Sequence, residues 1–138
     1  MKKLKAGFAK VNINPPMGIP LRGYFKEHLA EGVLDDLEAV ALALECDDIK
    51  VLLISVDNCG IELELSKKYR NLVSSATNIP SENFIISATH THQGPEAFIV
   101  SENKLVAEYT EFLGKRIADA AVFAVSDLKE AKMGYGKG

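Results

Sequence analysis

Residues 51–87, VLLISVDNCGIELELSKKYRNLVSSATNIPSENFIIS, decide the fold. The segment opens on an apolar run of buried-strand type and closes on NFIIS, a second short β-prone run. Between them Leu65, Tyr69, Leu72, Val73 and Ala76 recur at helical spacing. Asn78 and Pro80 then supply the helix stop. Strand 51–56, helix 61–76 and strand 83–87 therefore read as a β-α-β unit, with parallel strands and a right-handed crossover. Ligands of such units collect beyond the carboxyl ends of the strands. Both strands end in polar chemistry, Asp57-Asn58-Cys59 after one and Thr89-His90-Thr91-His92 after the other. Neighbouring strands would bring the two clusters to one edge of the sheet.

Working outward, LEAVALALEC (37–46) and the strand at 49–56 flank Asp47-Asp48, which reads as the turn of an antiparallel hairpin. KAGFAKVNI (5–13) alternates weakly and reads as a first strand, broken by the prolines and glycine of NPPMGIP. Residues 14–32 then run irregularly, and loops of that length inside a compact domain are usually functional or disordered. From Ser101 a long amphipathic helix is expected, its apolar stripe made by Leu105, Tyr109, Phe112, Leu113, Ile117, Ala120, Ala121, Ala124 and Leu128. AKMGYGKG at the end reads as the start of a further strand. The fold class is thus α/β: a first strand and loop, then a β-β-α-β-α-β order, giving a mixed β-sheet with helices packed on it.

With 138 residues, the chain suits a single domain, 1–138, with a modest core. A formal charge of −3 and 25% charged residues argue against a nucleic-acid binder, which carries a basic stripe. No apolar run approaches the ~20 residues of a membrane span. The basic start MKKLKAGFAKV lacks the apolar core of a secretory signal. Two cysteines make no disulfide scaffold, so a reduced, cytoplasmic setting is the expectation.

Two of the three histidines stand in SATHTHQGP, residues 87–95. In extended backbone His90 and His92 would point to one face and could approach one cation or one substrate together. Imidazole suits zinc, but a catalytic zinc takes about three protein ligands plus an open position. The plainer reading is a pair of polar loop residues satisfied by backbone or water. Asp57 is either a carboxylate holding a histidine tautomer or a turn residue ending its strand. Cys59 could serve as ligand or nucleophile, although a small buried hydrophobe is its simpler reading. Arg22-Gly23-Tyr24 could line a pocket, glycine permitting close backbone approach, or form an ordinary turn. Glu96 could be a carboxylate ligand, although an exposed turn glutamate is its simpler reading, and His28 reads as a solvated surface residue.

Several segments resemble the neutral/alkaline non-lysosomal ceramidase family. AGFAKVNINPPMGIPLRGY is similar to that family's opening A-G-x-A-x-x-x-I-T-P-P-x-G segment, which leads to a Gly-Tyr. GVLDDLEAVALAL resembles its G-V-x-D-P-L-x-A-R-A-L strand, and VLLISVD its V-x-L-V-S-x-D. IPSENFIISATHTHQGP is similar to I-P-x-E-N-V-x-I-S-A-T-H-T-H-S-G-P, the most specific of the matches. The resemblance implies a zinc-dependent amidase that cleaves the N-acyl bond of a ceramide-type substrate with a zinc-bound water. It implies that His90 is a zinc ligand, that His92 hydrogen-bonds near the reacting amide, and that Gly23 and Tyr24 line the substrate entrance. The chain departs from the pattern at Gln93, where the family has serine, and at Glu96-Ala97. The family's remaining zinc ligands, a histidine, a glutamate and a tyrosine, lie further downstream.

The resemblance therefore implies the N-terminal third of such a catalytic domain, truncated or diverged, and inactive by itself. It also implies uncovered apolar sheet surface and hence a homo-oligomer. Two other readings stand beside it. One is a non-catalytic small α/β domain that binds a ligand or partner and self-associates. The other is a different His-x-His metal hydrolase, weakened because Gly94-Pro95 stands where such sites continue with Asp-His.

Overall fold

The hairpin expected around Asp47 and Asp48 lies at the middle of the sheet in the computed structural model, which describes residues 3–137. β1 (Leu4–Asn12), β2 (Glu38–Cys46) and β3 (Ile49–Val56) are consecutive antiparallel neighbours. α1 (Leu63–Thr77) crosses over to β4 (Phe84–Ala88), which pairs in parallel with β3. α2 (Lys104–Ser126) then leads to a two-residue β5 (Lys129–Glu130) beside β1. The mixed sheet runs β4-β3-β2-β1-β5, and the order of elements is the expected one.

Alternation sorts each strand into an inner and an outer face. On the inner face Ala39, Ala41 and Ala43 of β2 and Leu52, Ile54 and Val56 of β3 are buried. They share one core with Leu65, Tyr69 and Val73 of α1 and Leu113, Ile117 and Ala121 of α2. Both helices therefore cover the same face, and they pack on each other. Small inner residues let α2 lie close to the sheet: a Cβ added to Gly7 would meet Ala124 O at 2.1 Å. Two buried phenols tie these parts together at 2.8 Å each, Tyr69 OH of α1 donating to Thr110 O of α2 and Tyr109 OH of α2 to Ile13 O just beyond β1. Burial pushes both phenols well above their usual pKa.

The outer face has a different character. Phe8, Leu42, Leu53 and Ile85 stand in register across four strands. Phe8, Leu53 and Ile85 remain 61%, 46% and 60% exposed. Among the described residues no helix or strand covers this side of the sheet.

Helix ends follow local chemistry. Asn78 takes the left-handed conformation (φ 57°) and its N–H caps Ser74 O, ending α1 where the sequence places the stop. Asn103 Oδ1 accepts from Leu105 N and Val106 N and starts α2. Two details of the expected helix are corrected. Phe112 lies at the margin of the stripe and is 40% exposed, while Val106 takes a place in the core. Leu128 lies beyond α2, in the connection to β5.

The terminal strand begins earlier than AKMGYGKG suggests. It comprises Lys129–Glu130, and residues 131–137 adopt no regular element. The reason is the length of its partner: Ala131 N already reaches Leu4 O, at the first residue of β1. Beyond β5 on the other side, the Phe8 N–H is taken by Asp127 Oδ2 at 3.0 Å. That amide, with Lys129, holds the Asp127 carboxyl below its ordinary range. No helix among the described residues is long and apolar enough to cross a membrane.

Candidate functional site

The parallel pairing of β3 and β4 places their carboxyl ends side by side, and both polar clusters meet there. Thr89 N donates to Val56 O and His90 N to Asn58 O, each at 3.0 Å, so the two exit loops are laced together. The histidine pair does not meet for the reason its spacing suggests. β4 ends at Ala88, and His90 is left-handed with φ 66°, so the chain turns before His92 instead of continuing extended. The rings nevertheless face each other with centroids 5.1 Å apart and planes at 71°. A non-glycine residue in that region stores strain, and such strain gathers at functional positions.

His90 Nδ1 lies 2.6 Å from the Cys59 carbonyl oxygen. A carbonyl only accepts, so Nδ1 carries the proton and Nε2 is left with its lone pair. Asp57 takes no part in that contact. Its Oδ2 accepts from Glu38 N at 3.0 Å while its own N–H donates to Glu38 O, which fastens the β3 exit to the start of β2. Cys59 is buried at 8% exposure, as its reading as a small hydrophobe implies, yet its Sγ is 4.0 Å from His90 Nδ1. Cys59, His90 and His92 can each present a donor atom with all three within 4.8 Å of one another. Neither Asp57 nor Glu96 belongs to that group. Beside it Asn58 is fully buried, and its Nδ2 has no hydrogen-bond partner.

The long loop forms the other wall. Gly18 N to Ala30 O, Leu21 N to His28 O and Ala30 N to Ile19 O fold residues 14–32 back on themselves over a buried Ile19. Arg22 N to Gly94 O and Glu96 N to Pro20 O tie that loop to the histidine turn. Gly23 (φ 95°) then lies against His92, and a Cβ there would stand 2.6 Å from the imidazole Cγ and Nδ1. Tyr24 presents its edge to His92 at 6.5 Å and receives a hydrogen bond from Gln93 Nε2. His28 is exposed but stacks on Tyr24 at 4.7 Å, so all three histidines line one strip of surface. Arg22 turns away, its guanidinium over the Phe98 ring. Next to the strip opens a cavity of ≈ 660 Å³, whose lining includes Leu21, His28, Leu29, Leu34, Thr91 and Gln93.

The fold has counterparts among solved structures. The chain shares the fold of part of neutral ceramidase. Against the crystal structure of the neutral ceramidase from Pseudomonas aeruginosa the TM-score is 0.80 at 21% identity, over 94% of this chain. Against a ceramidase complexed with C2 the TM-score is 0.69, again at 21% identity and 94% coverage. The chain spans 22% of the length of each of those ceramidase chains. No protein-family model matches the sequence, and no curated protein matches it.

The likeness to ceramidase is distant, so it settles the fold, and the donors must be judged on their own chemistry. Two imidazoles and a thiol are of the type that zinc binds. A backbone carbonyl orienting one imidazole through its second nitrogen is the usual support for a metal-bound histidine. The residues present therefore fit a zinc-type ion.

Proposed function

We propose that the chain is a domain of a zinc-dependent amidase-type hydrolase acting on an N-acyl lipid or other amide. His90 holds the metal, His92 stands beside the reacting amide, and Gly23 and Tyr24 line the entrance. Asp57 steadies the strand exit whose next residues carry the carbonyl that orients His90. The observation that carries this reading is the convergence of His90 and His92 with the Gly23-Tyr24 loop, at the carboxyl edge of two parallel strands. Zinc bound there would supply a Lewis acid for an amide carbonyl and an acidified water.

Residues 1–138 alone hydrolyse no amide at an appreciable rate. No carboxylate joins the cluster among the described residues, and catalytic groups that act as a unit fail together when some are missing. Calorimetric titration tests the metal: zinc binds the wild type, and His90→Ala abolishes that heat. Release of fatty acid from a short-chain N-acyl sphingosine, with zinc added, tests the chemistry and should stay at background. Identical isotherms for the two proteins would remove His90 from the site. Hydrolysis that depends on His90 would show the machinery to be complete within these residues.

Self-association belongs to the same reading. Four strands at ~4.8 Å spacing and about eight residues at ~3.3 Å each give the outer face roughly 500 Å². Lys10, Ser55 and Ser87 share that face, so its apolar part is smaller and lies within the range of the largest patch on an ordinary monomer. A second copy stacked sheet to sheet buries Phe8, Leu53 and Ile85 of both chains and leaves the histidine edge open. Light scattering at micromolar concentration should report a dimer, and Leu53→Lys a monomer. A monomeric wild type at that concentration refutes the dimer.

A further inference from the structure

Cys59 is the feature of this edge that neither the sequence patterns nor the ceramidase likeness assigns. It is buried at the exit of β3, its carbonyl engages His90, and its thiol faces the same imidazole at 4.0 Å. We propose that Cys59, His90 and His92 together form a three-donor site for a thiophilic divalent cation, with Cys59 bound as its thiolate. This rests on the reading of His90 as a metal ligand and deepens it, because it moves His92 from the amide to the metal.

A tetrahedral ion with bonds of about 2.0–2.3 Å holds its ligand atoms ~3.5 Å apart. One possible donor atom from each residue lies within 4.8 Å of the others, and with His90 Nδ1 held by the Cys59 carbonyl the ring must present Nε2, so the two exposed imidazoles turn toward the thiol as the ion binds. The Cys59 carbonyl already fixes the His90 tautomer that leaves Nε2 free for a metal. Two features beside the donors are hard to justify by stability alone. His90 is left-handed, and the buried Asn58 Nδ2 is unpaired at the cost of its desolvation. A soft sulfur with two nitrogens favours zinc or cobalt(II) over magnesium or calcium, which take oxygen ligands. Three protein donors leave one tetrahedral position open.

Cobalt(II) is the probe, because a thiolate ligand adds a near-ultraviolet charge-transfer band that imidazoles do not give. Titrated with cobalt chloride under reducing conditions, the wild type should develop that band, saturate at one equivalent, and lose it when zinc is added. Cys59→Ser should lack the band and bind at least tenfold more weakly. Cys46→Ser, which alters the other free cysteine, should behave as wild type. Zinc should also protect Cys59, and not Cys46, from alkylation by iodoacetamide in the unmutated protein, a readout that needs no variant to fold. Cobalt binding without the band, or with unchanged affinity in Cys59→Ser, overturns the thiolate ligand while leaving His90 in place. A wild type that binds neither metal, or binds them undiminished in His90→Ala, overturns both readings.

Discussion

Gly7→Val leaves the chain unfolded, and Gly7→Ala alone lowers the melting temperature by more than about 10 °C. Gly7 pairs with Ala43 on the inner face of the sheet, directly beneath the last turn of α2. An added Cβ meets Ala124 O at 2.1 Å, Leu128 N at 2.8 Å and Asp127 C at 2.9 Å. All three contacts are backbone, so no side-chain rotation relieves them and the helix end must lift. Lifting it separates Ala120, Ala121 and Ala124 from the alanines of β2, which are buried because the layers are close. It also pulls Asp127 from the Phe8 amide. Overpacking of well-packed cores typically costs 1–3 kcal/mol where neighbours can yield. Here they cannot, and a cost above about 4 kcal/mol removes much of the 5–15 kcal/mol that holds a domain together. Circular dichroism during thermal and urea unfolding reads the result. A Gly7→Ala protein melting within a few degrees of wild type would show that α2 does not seat on β1 as described.

That close seating was open to view in the sequence and is easily passed over. Ala39, Ala41 and Ala43 alternate along one strand, with Gly7 opposite, and a small inner face implies a near approach by whatever covers it. Gly114 repeats the device between the helices, where a Cβ would lie 2.6 Å from the Tyr69 ring. The β-α-β unit was legible because its signals are local: a periodicity, a left-handed asparagine and a proline suffice. β5 was not, because an edge strand starts where its partner permits, and that is a property of β1. The meeting of the two polar clusters at one sheet edge was legible through the strand-end rule. Its internal geometry was not, since the meeting of His90 and His92 depends on one left-handed residue that no spacing rule anticipates. Cys59 by residue type reads most simply as a small buried hydrophobe, and the signal for its other reading is its position directly after a strand end, beside the histidine strand. His28 lies in the β1–β2 loop, with β2, β3, α1 and β4 between it and the other two histidines in sequence, and comes near them through its stack on Tyr24.

Gly23→Ala should spare the fold and spoil the site. The residue has φ 95°, so alanine there carries a strain of roughly 1 kcal/mol from its backbone. The added methyl also stands 2.6 Å from Cγ and Nδ1 of His92. Unlike the contacts at Gly7, this one is with an exposed side chain, which can rotate into solvent. The melting temperature should therefore fall by only a few degrees, about 2–5 °C for a chain of this size. The loss appears instead in the metal. With His92 turned away the donor set drops to two, and the support that Tyr24 and Gly23 give the ring is gone. Removing partners that orient a metal-bound histidine typically costs 10- to 100-fold in affinity, and losing the ligand itself should reach the upper end of that range. Zinc and cobalt titrations of Gly23→Ala beside His92→Ala decide the matter: the two variants should weaken binding alike, and the double variant no further. An affinity equal to wild type in Gly23→Ala, with the fold intact, would mean that His92 contributes nothing to the metal and that the long loop borders the site without shaping it.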